Sequence, residues 1–260
     1  MNFRLAIIDF ALAAIAAALP LTASAACDIR SGAKTAALVE LYTSEGCSSC
    51  PPADRQLSRL RQALDPAAEV VPLALHVGYW DYIGWKDPYA QDGFGERQSW
   101  LVRANQRQTV YTPQFFVGGT ELRSWRGGLR DAVRQLNATP AAADIHLNAR
   151  VAAGGVLKLE AQATARAGAE PLALYLALAE NGLASAVTRG ENSGATLAHD
   201  HVVRAWIGPI ALVAGATRVQ RDIALPQAWN RAHLELAAFV QDVRSGKVLQ
   251  AVRAQQCVGS

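Results

Sequence analysis

The stretch Cys47-Ser48-Ser49-Cys50 constrains this chain more than any other feature. It follows an apolar run that reads as a strand, Ala36-Ala37-Leu38-Val39-Glu40-Leu41-Tyr42. It precedes a run that reads as a helix from Pro51 to about residue 64. Strand, C-x-x-C and helix in that order place two sulfurs at a helix N-terminus, the arrangement of a redox-active dithiol. The amides of the first helical turn point back at the first sulfur and favour its thiolate. Pro51 and Pro52 suit this place, because first-turn residues have no intrahelical acceptor for an N–H. The amides of Ser49 and Cys50 stay available to Cys47. Glu45, two residues before Cys47, opposes the helix by raising the thiol pKa. Two other readings stay open: an inert structural disulfide, and zinc, which needs two further ligands at short spacing.

The cysteine chemistry depends on the compartment. Arg4, an almost wholly apolar run over 5–21 and the small-x-small triplet Ala23-Ser24-Ala25 read as a signal peptide over 1–25. The chain is therefore expected to be exported, to the periplasm or beyond, where disulfides persist. No later apolar run is long enough to span a bilayer. The net charge is only +3 and is spread along the chain, so no nucleic-acid partner is expected. The single methionine is Met1, which argues against methionine-based copper handling. With Cys47 and Cys50 taken as the active pair, Cys27 and Cys257 remain near the ends of the mature chain. A disulfide between them is expected, worth at most about 5 kcal/mol in the loop-entropy model. Free thiols and intermolecular bridges are the alternatives.

Residues 34–138 read in the order β-α-β-loop-α-β-β-α. A second strand covers Val70–His76, and a helix covers about 91–107. Gln114-Phe115-Phe116-Val117 turns at Gly118-Gly119 into a partner strand over 120–125, and a last helix opens at Gly127-Gly128. An Ala/Pro stretch, 137–143, then acts as a linker. Beyond it six to eight short alternating runs, separated by turn residues, suggest an antiparallel sandwich.

The order of elements, the C-x-x-C after the first strand and Thr112-Pro113 before the hairpin together resemble thioredoxin, whose fold sets a cis-proline beside the two cysteines. The runs Cys47-Ser48-Ser49-Cys50-Pro51-Pro52, Tyr79-Trp80-Asp81-Tyr82-Ile83-Gly84-Trp85, Tyr111-Thr112-Pro113-Gln114 and Arg189-Gly190-Glu191-Asn192 are similar to an exported bacterial thioredoxin-like family of undetermined function. The resemblance implies an α/β thioredoxin-like domain over 34–138 followed by an all-β, immunoglobulin-like sandwich over 143–256. It also suggests that Glu40, at the first strand, moves the proton of the second cysteine, as a buried acid does in thioredoxin. A solvated or ion-paired glutamate is the alternative.

The expected activity is thiol–disulfide exchange on a protein or peptide, with Cys47 attacking and Cys50 resolving. Thr112 and Pro113 shape the substrate site. Five aromatics between Tyr79 and Tyr89 follow the second strand and leave at the same sheet edge as Cys47 if the strands are parallel. Trp80, Tyr82, Trp85 and Tyr111 are therefore candidate substrate contacts; packing against the second domain is the alternative. His76 is placed to face the same edge. His199-Asp200-His201 is a weak metal candidate, its histidines sharing a face if the run is an alternating strand. No cofactor and no metal are expected, but a redox partner must recycle the dithiol. The competing expectation is a redox-inert thioredoxin-like scaffold with a ligand- or metal-binding role.

Overall fold

The computed structural model describes residues 26–166 and 171–255. The expected signal peptide and Cys257 lie outside the described residues. The fold is β-rich. Strands β1 (Ala26–Arg30) and β2 (Ala37–Thr43) precede helices α1 (Pro51–Ser58) and α2 (Leu60–Ala63). Strand β3 (Val70–His76), a 3-10 turn (Gly78–Ile83), helix α3 (Asp92–Ala104), strands β4 (Gln114–Val117) and β5 (Thr120–Glu121) and helix α4 (Trp125–Asn137) follow. The remainder is strand: β6 (Ala143–Ala152), β7 (Val156–Ala165), β8 (Leu172–Glu180), β9 (Leu183–Ala186), β10 (Thr196–His199), β11 (Val202–Ala211), β12 (Ala216–Ala224), β13 (Leu234–Asp242) and β14 (Val248–Gln255).

One eight-stranded sheet runs through both halves of the chain, in the order β14-β13-β8-β11-β3-β2-β4-β5. Strands β2 and β3 are parallel, whereas β8 pairs antiparallel with β11 and β13. The halves join where β11 lies parallel to β3, Val202 opposite Ala74, with the Ala74 amide donating to the His201 carbonyl at 2.8 Å. The expected division at 137–143 is therefore a connection and not a break in the sheet. That stretch is also held down: Thr35 and Ala141 amides donate to the carbonyls of Thr139 and Ala33. Strand β1, which precedes the expected first domain, pairs with β6 in a second sheet, β1-β6-β7-β12.

Burial follows from three layers. β6 and β7 alternate, sending Ile145, Leu147, Leu157 and Leu159 inward against Leu174, Leu176, Leu236 and Ala238 of the large sheet. The opposite face of β8 and β13, with Tyr175, Ala177 and Phe239, meets Leu38, Tyr42 and Leu73 under α3, which contributes Phe94, Leu101 and Val102. β8 is thus covered on both faces and reads as an unbroken buried run. Ala37, Val39 and Leu41 on the other face of β2 pack against Ala53 and Leu57 of α1 and Trp125, Leu129 and Val133 of α4. The i, i+4 spacing of those three α4 residues puts them on one face. It also corrects the expected hairpin: the second strand ends at Glu121, and Trp125 begins the helix, its ring tilted against that of Phe115 with centroids 5.4 Å apart.

Candidate functional site

The parallel pairing of β2 and β3 ends with Thr43 opposite His76, so both strands deliver their following loops to one sheet edge. β4 runs antiparallel to β2 with Gln114 opposite Tyr42, so Thr112-Pro113 reaches the same edge. β11 starts beside Ala74, which brings His199–His201 there as well.

Cys47 and Cys50 form a disulfide with Cα atoms 5.4 Å apart. Cys50 is the N-cap of α1, with prolines at the first two helical positions. Both cysteines are wholly buried, while Ser48 and Ser49 are exposed. Cys27 is also disulfide-bonded; its expected partner, Cys257, lies outside the described residues.

Thr112-Pro113 is a cis peptide bond, and Pro113 is buried. Trp80 joins it to the cysteine loop. Its Nε1 donates to Thr112 Oγ1 at 2.8 Å, while a Cβ on Gly46 would come within 2.9 Å of the Trp80 Cβ. Only a glycine fits there. Trp85 Nε1 donates to Glu45 Oε2 at 2.8 Å. The indole N–H groups of both tryptophans are thus bonded within the protein. Tyr111 donates its hydroxyl to Glu121 Oε1 at 2.8 Å; burial and that carboxylate push the hydroxyl up to about 12. Tyr82, 82% exposed, faces solvent more than any other aromatic of the loop.

Glu40 is not with the sulfurs. Strand alternation turns it to the α3 side, away from Leu41 and α1. Its Oε1 takes Arg97 Nε at 2.7 Å and the Tyr42 hydroxyl at 3.3 Å. Glu40 is thus one member of a buried ion pair with Arg97. The acid near the second cysteine is instead Asp54, one helical turn after Cys50 and buried. The sequence carried a signal for it, an acid four residues after a cysteine on a helix.

His76, His199, Glu45 and Asp87 complete a buried polar cluster. His76 Nδ1 pairs with Asp87 Oδ2 at 2.7 Å, and His199 Nε2 with Glu45 Oε1 at 3.0 Å. The two rings meet edge to face at 4.9 Å. His201, by contrast, has a left-handed backbone (φ 59°), which breaks the alternation, and its ring pairs with Glu235. The two histidines of H-x-H therefore serve different sites. Among the described residues no group of three or more His, Cys, Asp or Glu is placed to hold a metal ion.

A loop from the second half closes over the motif. Between β9 and β10, Glu191 Oε2 accepts the Ser48 amide at 3.0 Å, and Asn192 Nδ2 donates to the carbonyls of Glu45 and Cys47 at 2.7 and 3.1 Å. Gly190, in the left-handed region (φ 74°), lies where a Cβ would meet Ile83 at 2.9 Å.

The His76–Asp87 pair makes stability depend on pH. Burial favours a neutral His76, but Asp87, with Asp54 and Glu45 behind it, outweighs burial and raises the ring above its ordinary 6.5. Burial likewise opposes ionisation of Asp87, yet His76 and the Glu45 and Tyr89 amides hold it below its ordinary 3.8. The His76 contribution is complete below its unfolded value and fades as pH rises through the raised one. The Asp87 contribution is complete above its unfolded value and fades as pH falls through the lowered one. The urea midpoint is therefore expected to decline on the alkaline side from about pH 6.5 upward. His76→Gln should flatten that limb; an unchanged limb would assign it elsewhere.

Fold and site together define a β-rich protein with a buried C-x-x-C disulfide capping a helix at the edge of a mixed sheet. The chain belongs to the family described as Protein of unknown function (DUF1223), whose model matches residues 38–241. It is similar to protein AGR_C_4864 from Agrobacterium tumefaciens, at 25% identity and a TM-score of 0.60, over 85% of this chain and 94% of that one. It shares a fold with HBP35 of Porphyromonas gingivalis, at 16% identity and a TM-score of 0.67, over 88% of this chain and 78% of that one. No curated protein matches the chain. No helix among the described residues is long and apolar enough to cross a membrane.

Proposed function

We propose that this protein is an exported thiol–disulfide oxidoreductase acting on protein or peptide disulfides, built from a thioredoxin-like half and an immunoglobulin-like sandwich that share one sheet. The observation that carries the reading is the Cys47–Cys50 disulfide at the N-terminus of α1. Thr112-Pro113 reaches the same sheet edge, tied to that loop through Trp80. In the reducing direction the Cys47 thiolate attacks a substrate disulfide and Cys50 resolves the mixed disulfide; in the oxidising direction a substrate thiolate attacks Cys47, Cys50 leaves, and a second substrate thiolate releases Cys47. A separate redox partner resets the pair. Tyr82 offers an exposed aromatic anchor beside the loop. Export is supported by the signal-like N-terminus and by a disulfide that persists in an oxidising compartment.

The complete burial of both cysteines favours a second reading, a structural disulfide in a redox-inert scaffold. One experiment decides between them. Purified protein is incubated with a model dithiol peptide and, after reduction, with a model protein disulfide. Exchange that is abolished by Cys47→Ser, and a Cys50→Ser variant that accumulates mixed disulfides, are the expected results. A wild type that exchanges in neither direction would leave the scaffold reading standing.

A further inference from the structure

Buried polar atoms without a hydrogen-bond partner gather where Asp54, His199 and His76 face one another at the sheet edge that carries the disulfide. Among the described residues these are Asp54 Oδ1, His76 Nε2 and His199 Nδ1; Glu40 Oε2, on the other face of β2, is also without a partner. Each such atom costs about 1–3 kcal/mol, so three on groups that face one another call for a reason other than stability.

Asp54 sits where it can serve Cys50. Cys50 has helical backbone angles, and its carbonyl accepts the Asp54 amide at 3.1 Å. Residues four apart share a helix face, with Cβ atoms about 5–6 Å apart. Asp54 Oδ2 lies 4.0 Å from His199 Nδ1, the ring nitrogen that Glu45 leaves free. The groups facing this pair are Glu45 before Cys47, His76 at the end of β3, and Asp87 and Tyr89 of the aromatic loop.

We propose that Asp54 is the group that exchanges a proton with the Cys50 sulfur, and that His199, supplied by the second half of the chain, positions it. This rests on the exchange reading above. When a substrate thiolate attacks Cys47 Sγ, the Cys47–Cys50 bond breaks and its electron pair leaves on Cys50 Sγ. That buried sulfur takes the proton of the Asp54 carboxyl. A second substrate thiolate then attacks the substrate sulfur of the mixed disulfide and releases Cys47 as a thiolate. The substrate is oxidised to its disulfide and the protein is reduced by the same two electrons. Of the two protons shed by the substrate thiols, one replaces that of Asp54. In the opposite direction the Asp54 carboxylate takes the Cys50 proton, and Cys50 attacks. Burial, opposed by His199 and His76, raises the Asp54 carboxyl above its ordinary value, the direction a proton donor near neutral pH requires.

The test uses the full mature protein. Asp54→Asn is expected to form the disulfide normally but to exchange about a hundredfold more slowly, with a flattened pH profile, as loss of a general acid–base group implies. In a Cys47→Ser background, the same substitution should lower the pH at which Cys50 becomes alkylated, because a neighbouring carboxylate charge is gone. His199→Gln should slow exchange less and displace the pH profile. Wild-type exchange should show a normal solvent deuterium isotope effect, a measurement that needs no variant to fold. Wild-type rate, profile and Cys50 titration in Asp54→Asn, or no isotope effect, would overturn the inference while leaving exchange intact. A wild type without exchange would overturn the underlying reading and this inference with it.

Discussion

Replacing Arg97 by methionine is expected to destabilise the fold by about 3–5 kcal/mol, the cost of stranding one member of a buried ion pair. Arg97 lies on α3 and Glu40 on β2, and both are almost fully covered. The guanidinium donates to Glu40 at 2.7 Å and to Gln241 of β13 at 3.0 Å. It also lies over the rings of Tyr175, Trp206 and Phe239, at 4.8, 4.7 and 5.2 Å. One side chain therefore ties β2 to β8, β11 and β13. Glu40 Oε2 already has no partner, so after the substitution the carboxylate keeps only the Tyr42 hydroxyl. At about 2–4 °C per kcal/mol for a protein of this size, melting should fall by about 10 °C. Glu40→Gln in the same chain should recover most of the loss, because the uncompensated charge is removed and methionine can pack among the rings. A single variant within about 1 kcal/mol of wild type in urea unfolding would show that the buried pair contributes little to stability.

That pair also shows where the sequence stopped being legible. β2, β3 and β8 could be placed because strands covered on both faces leave an unbroken apolar run. The face on which each residue falls was legible too, in the alternation of Leu38, Glu40 and Tyr42 with Val39, Leu41 and Thr43. The resemblance to thioredoxin made Glu40 a candidate to move the proton of Cys50, yet parity puts it on the opposite side of the sheet from α1. The C-x-x-C, Thr112-Pro113 and His76 could be brought to one edge because strand direction alone decides that. His199 could not be assigned to it, since its arrival depends on β11 adding parallel to β3 at a single residue pair. The same pairing turned two expected domains into one continuous sheet. β9 and β10 are too short and half-exposed to register as strands, so the loop they carry onto the cysteines left only a motif whose role was not readable.

That loop leads to an expected gain rather than a loss. Both cysteines are wholly covered, while the loop is held to the motif backbone by three hydrogen bonds, two of them from Asn192. Asn192→Ala removes those two, each worth about 0.5–1.5 kcal/mol net. If release of the loop is what admits a thiol, the loss of about 1–3 kcal/mol raises the open population by about tenfold, the factor that about 1.4 kcal/mol represents. Reduction of the Cys47–Cys50 bond by dithiothreitol should therefore be about tenfold faster in Asn192→Ala, with melting lowered by only about 5 °C. This readout is chemical and does not depend on any natural substrate. Glu191→Gln separates access from charge. It keeps an acceptor for the Ser48 amide but removes a carboxylate from the N-terminal end of α1, where a leaving thiolate would form. Acceleration in Glu191→Gln with none in Asn192→Ala would make the loop an electrostatic element. No acceleration in either would mean that the sulfurs open by movement of the aromatic loop, whose Trp80 and Trp85 hold the other side of the motif.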